Sequence, residues 1–406
     1  MLCFFLRMGE ISLLTIQGCH FDPTITVLDG FDLELAPSLD EDPTCYDHQV
    51  MWVASDFTSS WVGSLTIPPK GIPSASTGIS SFFNEEFGQD LSLSFSTNRA
   101  FLLSRDRELL FLLNRCGAPV QKMSLHLPST QSLSSPHDVA LSPNEELWVV
   151  YYDVPVLAVF NQKGEWSTSI DLSPYSPNGN PHASALWIGE FKGLTKALVL
   201  LQNLNRDWKP ENPASLLSIN VDNKQIEEVI QLKGRNPLHS PVFSQESLWV
   251  TQAGNLTLQE EENGGIERID LVEGTSEMLL SKTELEAIPV NIAISQTCGA
   301  AIVMDSTPDW NRTSLITFRL DTGTLVASIA KPLFGPTSHY DLWGIDFNST
   351  GQVLMVGDRQ QKDLQYPIHL FHHKGNCVFV EDTSVNLPQK PIAIHTLPPR
   401  KTPKSL

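Results

Sequence analysis

A unit of four short strands recurs along this chain, and residues 135–172 show it most clearly: SPHDVALSPNEELWVVYYDVPVLAVFNQKGEWSTSIDL. The stretch DVALS, from Asp138, opens the unit as strand A. Pro143 presets φ and Asn144 tolerates left-handed geometry, so the chain turns there. LWVVYY, from Leu147, is an unbroken run of apolar, β-branched and aromatic residues, which suits a strand B covered on both faces. Asp153, Val154 and Pro155 turn the chain again before strand C, VLAVF. The NQKG that ends at Gly164 places glycine where a hairpin needs φ > 0. From Trp166 the pattern alternates, as in an outer, half-solvated strand D.

Copies of this unit span 90–127, 180–232, 236–280, 289–330 and 340–387. Their period of about 40–50 residues is that of β-propeller blades. Trp52 and Trp249 occupy the place of Trp148 in their own copies. The copy that begins at Gln49 has strands B and C but no strand A before them. The segment KPIAIHTL, from Lys390, resembles the strand A segments PHDVAL and PVNIAI, from Pro136 and Pro289. The C-terminus therefore supplies the missing strand. This closes the ring and removes the last open edge. The expected fold is all-β: a seven-bladed β-propeller of four-stranded antiparallel blades.

The repeat SPHDVALSPNEELWVVYYDVPVLAVFN also resembles the YVTN/NHL-type propeller repeat of secreted and surface-layer bacterial proteins, in the lactonase-like and quinoprotein-like superfamily. The resemblance covers residues 49–398 and is specific for fold rather than chemistry. In related propellers, acidic and amide side chains at the channel hold a divalent metal. That family's ligand motif has no residue-by-residue match here.

Residues 1–19, MLCFFLRMGEISLLTIQGC, read as a weak export signal. Gly18-Cys19 resembles a bacterial lipobox, which makes Cys19 the candidate lipidation site. Residues 20–44 are rich in Asp and Pro and read as a linker, 45–398 as one propeller domain and 399–406 as a tail. The expected protein is an exported lipoprotein at the bacterial outer membrane or cell surface, and a monomer. No internal stretch holds 18 consecutive apolar residues, so no membrane-spanning helix follows the N-terminus. The formal net charge is −19, which repels a nucleic-acid backbone and argues against such a partner.

Four cysteines remain in the body. Cys298 sits in an A–B turn and Cys377 near the C–D turn of the next blade. Cys45 precedes strand B of blade one and Cys116 lies in the C–D turn of blade two. The two pairs share one spatial relation, which predicts disulfides Cys45–Cys116 and Cys298–Cys377. The alternative is four buried thiols.

The first residues of strand A ring the channel mouth, and they include Asp90, His137, Asp138, His182, His239, Asn291 and Asp341. Such groups serve a metal or a general base, or they line a water-filled channel. The B–C loops open on the same face and are long in blades four to seven. Two of them carry Asp-Trp: RDWKP around Trp208 and PDWNR around Trp310. Trp208 and Trp310 form a candidate aromatic platform for a sugar or peptide, with Asp207, Asp309 and Arg312 as polar contacts. The alternative is that each ring anchors its own loop. No nucleophile elbow or phosphate-binding loop is present. The expected function is non-enzymatic: an envelope-anchored propeller that binds a ligand or envelope protein without a cofactor. The alternative is a metal-dependent lactonase or hydrolase at the channel mouth, with a divalent ion as cofactor.

Overall fold

Each copy of the repeat becomes one antiparallel sheet in the computed structural model, and the seven sheets follow one another along the chain. The structure describes residues 28–29, 31–34, 38–39, 45, 47–67, 78–96, 98–128, 133–191, 193–244, 246–256, 263–305, 312–362 and 365–398. Blade three is the pattern for the rest. Its strands A to D are Pro136–Leu141, Leu147–Tyr151, Val156–Phe160 and Trp166–Asp171. Strand B is wholly buried, as its unbroken apolar run requires, while strand D alternates towards solvent.

Ring closure is as the sequence predicts. Pro391–Thr396 pairs antiparallel with Val50–Ser55, bringing Ile394 opposite Trp52. Seven apolar clusters form among the described residues, one at each junction between neighbouring blades. Trp148, Trp52 and Trp249 each fill one such junction and are at most 3 % exposed. Gly63 has to lack a side chain to accommodate one of them. A Cβ there would lie 2.7 Å from the Trp52 ring and 2.0 Å from the Ser80 carbonyl oxygen.

Both predicted disulfides are present. Cys45–Cys116 ties blade one to blade two, and Cys298–Cys377 ties blade six to blade seven. Cys19 and the rest of the expected export signal lie outside the described residues. Residues 20–44, expected as a linker, are different where they are described. Leu28–Asp29 adds a fifth strand, parallel to Pro119–Ser124, at the outer edge of blade two. Phe31 and Leu33 are buried in the junction of blades two and three, and Leu39 in that of blades one and two. Apolar side chains among the Asp and Pro residues are what hold this segment to the body.

Strand A carries an irregularity near its start in six blades, those other than blade two. A bulge changes which side chain faces which way. In blade three the extra residue is His137, so its ring lines the channel while Asp138 turns to the neighbouring strands. Asp138 accepts hydrogen bonds from Ser94 Oγ at 2.6 Å, from its neighbour Val139 N at 2.8 Å and from Leu186 N at 2.9 Å. Blades two, three and four are thereby joined through one carboxylate. Asp346 repeats the arrangement, accepting from Phe347 N at 2.8 Å and from Thr396 N at 2.6 Å across the ring closure. Asn291 does the same with an amide, donating to the Trp343 carbonyl oxygen at 2.9 Å.

Candidate binding site at the channel mouth

The central channel is a cavity of about 550 Å³ lined by strand A of every blade. One mouth carries the starts of strands A and the B–C loops. Here two aromatic groups face each other across a cation.

The first group belongs to blades three and four. Tyr152 follows strand B of blade three directly and is its centre. His137 stacks on Tyr152 with centroids 4.8 Å apart, and Trp208 stacks on it with centroids 5.8 Å apart and planes 18° from parallel. His182 packs against both Tyr152 and Trp208, at 5.2 and 4.9 Å. The Tyr152 hydroxyl donates to Gln202 Oε1, and Gln202 donates in turn to the Pro237 carbonyl oxygen at 2.6 Å. Burial pushes the Tyr152 phenol up to about 12, so it stays a donor.

Trp208 reaches this group because its loop is built as a turn. Asn205 Oδ1 accepts from the backbone N–H groups of Asp207 and Lys209, and the Trp208 N–H donates to the Asn205 carbonyl oxygen. Deeper in the loop, Asn203 Nδ2 donates to Pro213 O and Ser215 Oγ. The indole is thus presented by a fixed loop yet is 57 % exposed. Trp208 has φ 61°, in the left-handed region that costs a residue with a side chain roughly 1–2 kcal/mol. His182, His239 and Phe57, also at this mouth, have φ of 52°, 57° and 65°.

The second group belongs to blades one, five and seven. The Arg359 guanidinium lies over the rings of Trp343 and Phe57, at 4.9 and 5.8 Å. Tyr340 and His239 meet Trp343 edge-on at 4.9 and 5.6 Å. Asp341 is buried beside Arg359. Burial first, and then the neighbouring Asp358, raises its carboxyl pKa.

Between the groups stands Arg105. It pairs with Asp90 at 3.2 Å and lies 3.3 Å from both ring nitrogens of His137. Burial, reinforced by the Arg105 charge, holds His239 down to about 4 and His137 well below its ordinary value. Burial also lowers His182, against the pull of Asp153. Its Nδ1 is buried with no hydrogen-bond partner among the described residues. All three imidazoles are therefore neutral at pH 7, offering one donor and one acceptor each.

Of the residues expected to form a site, the structure brings His137, His182 and Trp208 together. Asp138 lies beneath them, committed to the blade junctions. Arg312 pairs with Asp305 at the base of the blade-six loop. Asp341 belongs to the second group. Asp309 and Trp310 lie outside the described residues. Among the described residues no three His, Cys, Asp or Glu side chains converge as a metal site would require. Tyr152, Arg105, Arg359 and Trp343 were not anticipated. Three of these four directly follow a strand B, and that shared register position is the signal that marks them.

No family model matches the sequence, and no curated protein is similar to it. Its fold is similar to those of solved structures. One is the dihydro-heme d1 dehydrogenase NirN in complex with DHE, with 11% identity and a TM-score of 0.53 over 90% of this chain and 79% of that one. Another is the Dos1 propeller, with 16% identity and a TM-score of 0.52 over 85% of each chain. A third is a Lactobacillus plantarum protein, with 12% identity and a TM-score of 0.51 over 86% of this chain and 99% of that one. At such identities the likeness is one of β-propeller fold alone.

Proposed function

We propose that this protein is a non-enzymatic binding propeller of the bacterial envelope, which takes a saccharide on the mouth formed by His137, Tyr152, His182 and Trp208. The observation that carries this reading is the half-exposed Trp208 ring. It is stacked on Tyr152 and held there by a structured loop at a backbone cost. A flat apolar surface beside neutral imidazoles and amides matches a sugar ring, which has an apolar face and a rim of hydroxyls. Two disulfides support an oxidising compartment, and hence export. The Gly18-Cys19 junction supports anchoring through a lipid on Cys19. The repeat's resemblance to YVTN/NHL-type propellers agrees with a surface location.

The test is a fluorescence titration of the full chain against a panel of neutral oligosaccharides. Saturable quenching that disappears in Trp208→Ala is the expected result. A panel without any saturating member overturns the reading.

A second reading has its own support. His137 lines the channel and touches Arg105, so an imidazole stands beside a cation able to stabilise an anion, although burial and that same charge oppose protonation of the ring. On that reading a lactone or ester is opened at the mouth, and turnover would be lost in His137→Gln with ligand affinity retained.

A further inference from the structure

The opposite face of the ring holds a second cavity, of about 380 Å³, where the turns of blades five, six and seven meet. It is remote in the fold from the mouth described above. Ser244 and Ser247 come from the A–B turn of blade five, Thr297 from that of blade six, and Arg319 and Asp321 from the C–D turn of blade six. Arg268 enters from strand C of blade five, directly opposite Trp249. On a chain of net charge −19 with only 27 basic residues, two arginines converge here.

Both arginines have partners before any ligand arrives. The Arg268 guanidinium lies over the buried Trp249 ring at 5.9 Å, and its Nε donates to Ser247 Oγ at 3.1 Å. Its two terminal nitrogens make no hydrogen bond to a described residue. Arg319 is gripped by Asp321, with Nε to Oδ1 at 3.1 Å and Nη2 to Oδ2 at 2.7 Å. A guanidinium held along one edge presents its other edge as a fork, and a carboxylate is the group that fits a fork. Two arginines against one aspartate leave a single positive charge, which matches a monoanion better than a phosphate dianion. Ser244, Ser247 and Thr297 supply hydroxyls that both donate and accept. The disulfide Cys298–Cys377 forms part of the wall. Cys377 lines the cavity, and its Sγ lies 3.6 Å from the Thr297 carbonyl oxygen.

We propose that this cavity is a second binding site, for a small hydroxylated carboxylic acid. Arg268 receives the carboxylate and the three hydroxyl residues receive the ligand's hydroxyl groups. The size agrees with a single sugar acid, since small-ligand pockets start at roughly 300 Å³. The site is independent of the saccharide reading and survives its failure.

The experiment is ligand-observed NMR on the full chain with D-glucuronate as probe, and D-glucose and inorganic phosphate as comparisons. Saturable binding of glucuronate is expected, with no saturation by glucose and weaker binding of phosphate. Arg268→Gln should weaken glucuronate binding at least about tenfold, as the loss of a charge-assisted fork does. Ser244→Leu, which fills the cavity from its half-buried rim and leaves both arginines in place, should block it too. The proposal is overturned if glucuronate does not saturate, if neither variant changes its affinity, or if phosphate binds as tightly.

Discussion

The indole of Trp208 lies nearly parallel to the phenol ring of Tyr152, with centroids 5.8 Å apart, although the two residues come from different blades. Trp208 makes this contact from a left-handed backbone position. Binding and stability therefore separate at this residue. Trp208→Gly removes the platform and also relieves the backbone. It should abolish saccharide binding while leaving the melting temperature unchanged or slightly raised. Trp208→Ala keeps most of the backbone cost and should lower stability by no more than about 1 kcal/mol. Paired melts and titrations check both. If Trp208→Gly unfolds the blade-four loop, the ring is an anchor rather than a platform.

Asp346 gives the ring closure a pH dependence. Burial raises its carboxyl to about 6, against hydrogen bonds from Thr396 and Phe347 that favour the ionised form. A carboxyl whose folded-state pKa lies above its unfolded value holds its proton more tightly in the native state. Ionising it therefore costs stability, a cost absent below about pH 4 and complete above about pH 6. Asp346→Asn does not titrate. Between those limits the wild type should lose on the order of 1–2 kcal/mol relative to the variant as pH rises. Urea melts at pH 4.5 and 7.5 measure the difference, and equal shifts in both proteins would refute it.

Much of this fold is legible in the sequence because a propeller is one local pattern repeated. LWVVY in blade three, SLWVTQ in blade five and VMWVAS in blade one are the same strand B, and each tryptophan is buried between blades. The site is less legible. Residue type marked His137, His182 and Trp208, which do come together. It also marked Asp138, whose carboxylate is spent on neighbouring backbone. The difference is one step along strand A, where successive side chains point to opposite sides: His137, left unpaired by the bulge, lines the channel and Asp138 does not. Tyr152 was hidden for another reason. It ends an apolar run and reads as core, yet it stands one residue beyond the strand, at the position Arg105 and Arg359 hold in their own blades.

The disulfides Cys45–Cys116 and Cys298–Cys377 close loops with sequence separations of 71 and 79 residues. Loops of this length restrict the unfolded chain considerably, so each bond should contribute about 2–4 kcal/mol. Replacing either pair with serines should lower the denaturation midpoint by a corresponding amount, with the fold retained. Peptide mapping without reduction should recover both crosslinks. Four alkylatable thiols in the native protein would contradict the pairing.

Anchoring is tested at Cys19. The Cys19→Ser protein should leave the membrane fraction and appear in the soluble one with an unchanged melting profile, because the propeller strands carry the fold without it. Membrane association that persists in this variant would exclude a lipid at this position.

Among the described residues, the strand Pro391–Thr396 is the only partner that strand Val50–Ser55 has on its inner side. It also brings Ile394 into the junction of blades seven and one and offers the Thr396 N–H to Asp346. Truncation after Gln389 removes all three contributions together. It uncovers the backbone of Val50–Ser55 along the channel, and an uncovered strand seeks another chain. The truncated protein should melt far below the full chain, without a sharp transition, and should associate at micromolar concentration. Adding a peptide of residues 390–398 in excess should restore part of the lost stability, because the peptide re-forms the missing strand. A truncated protein that melts as the full chain does would mean that the ring holds without its last strand.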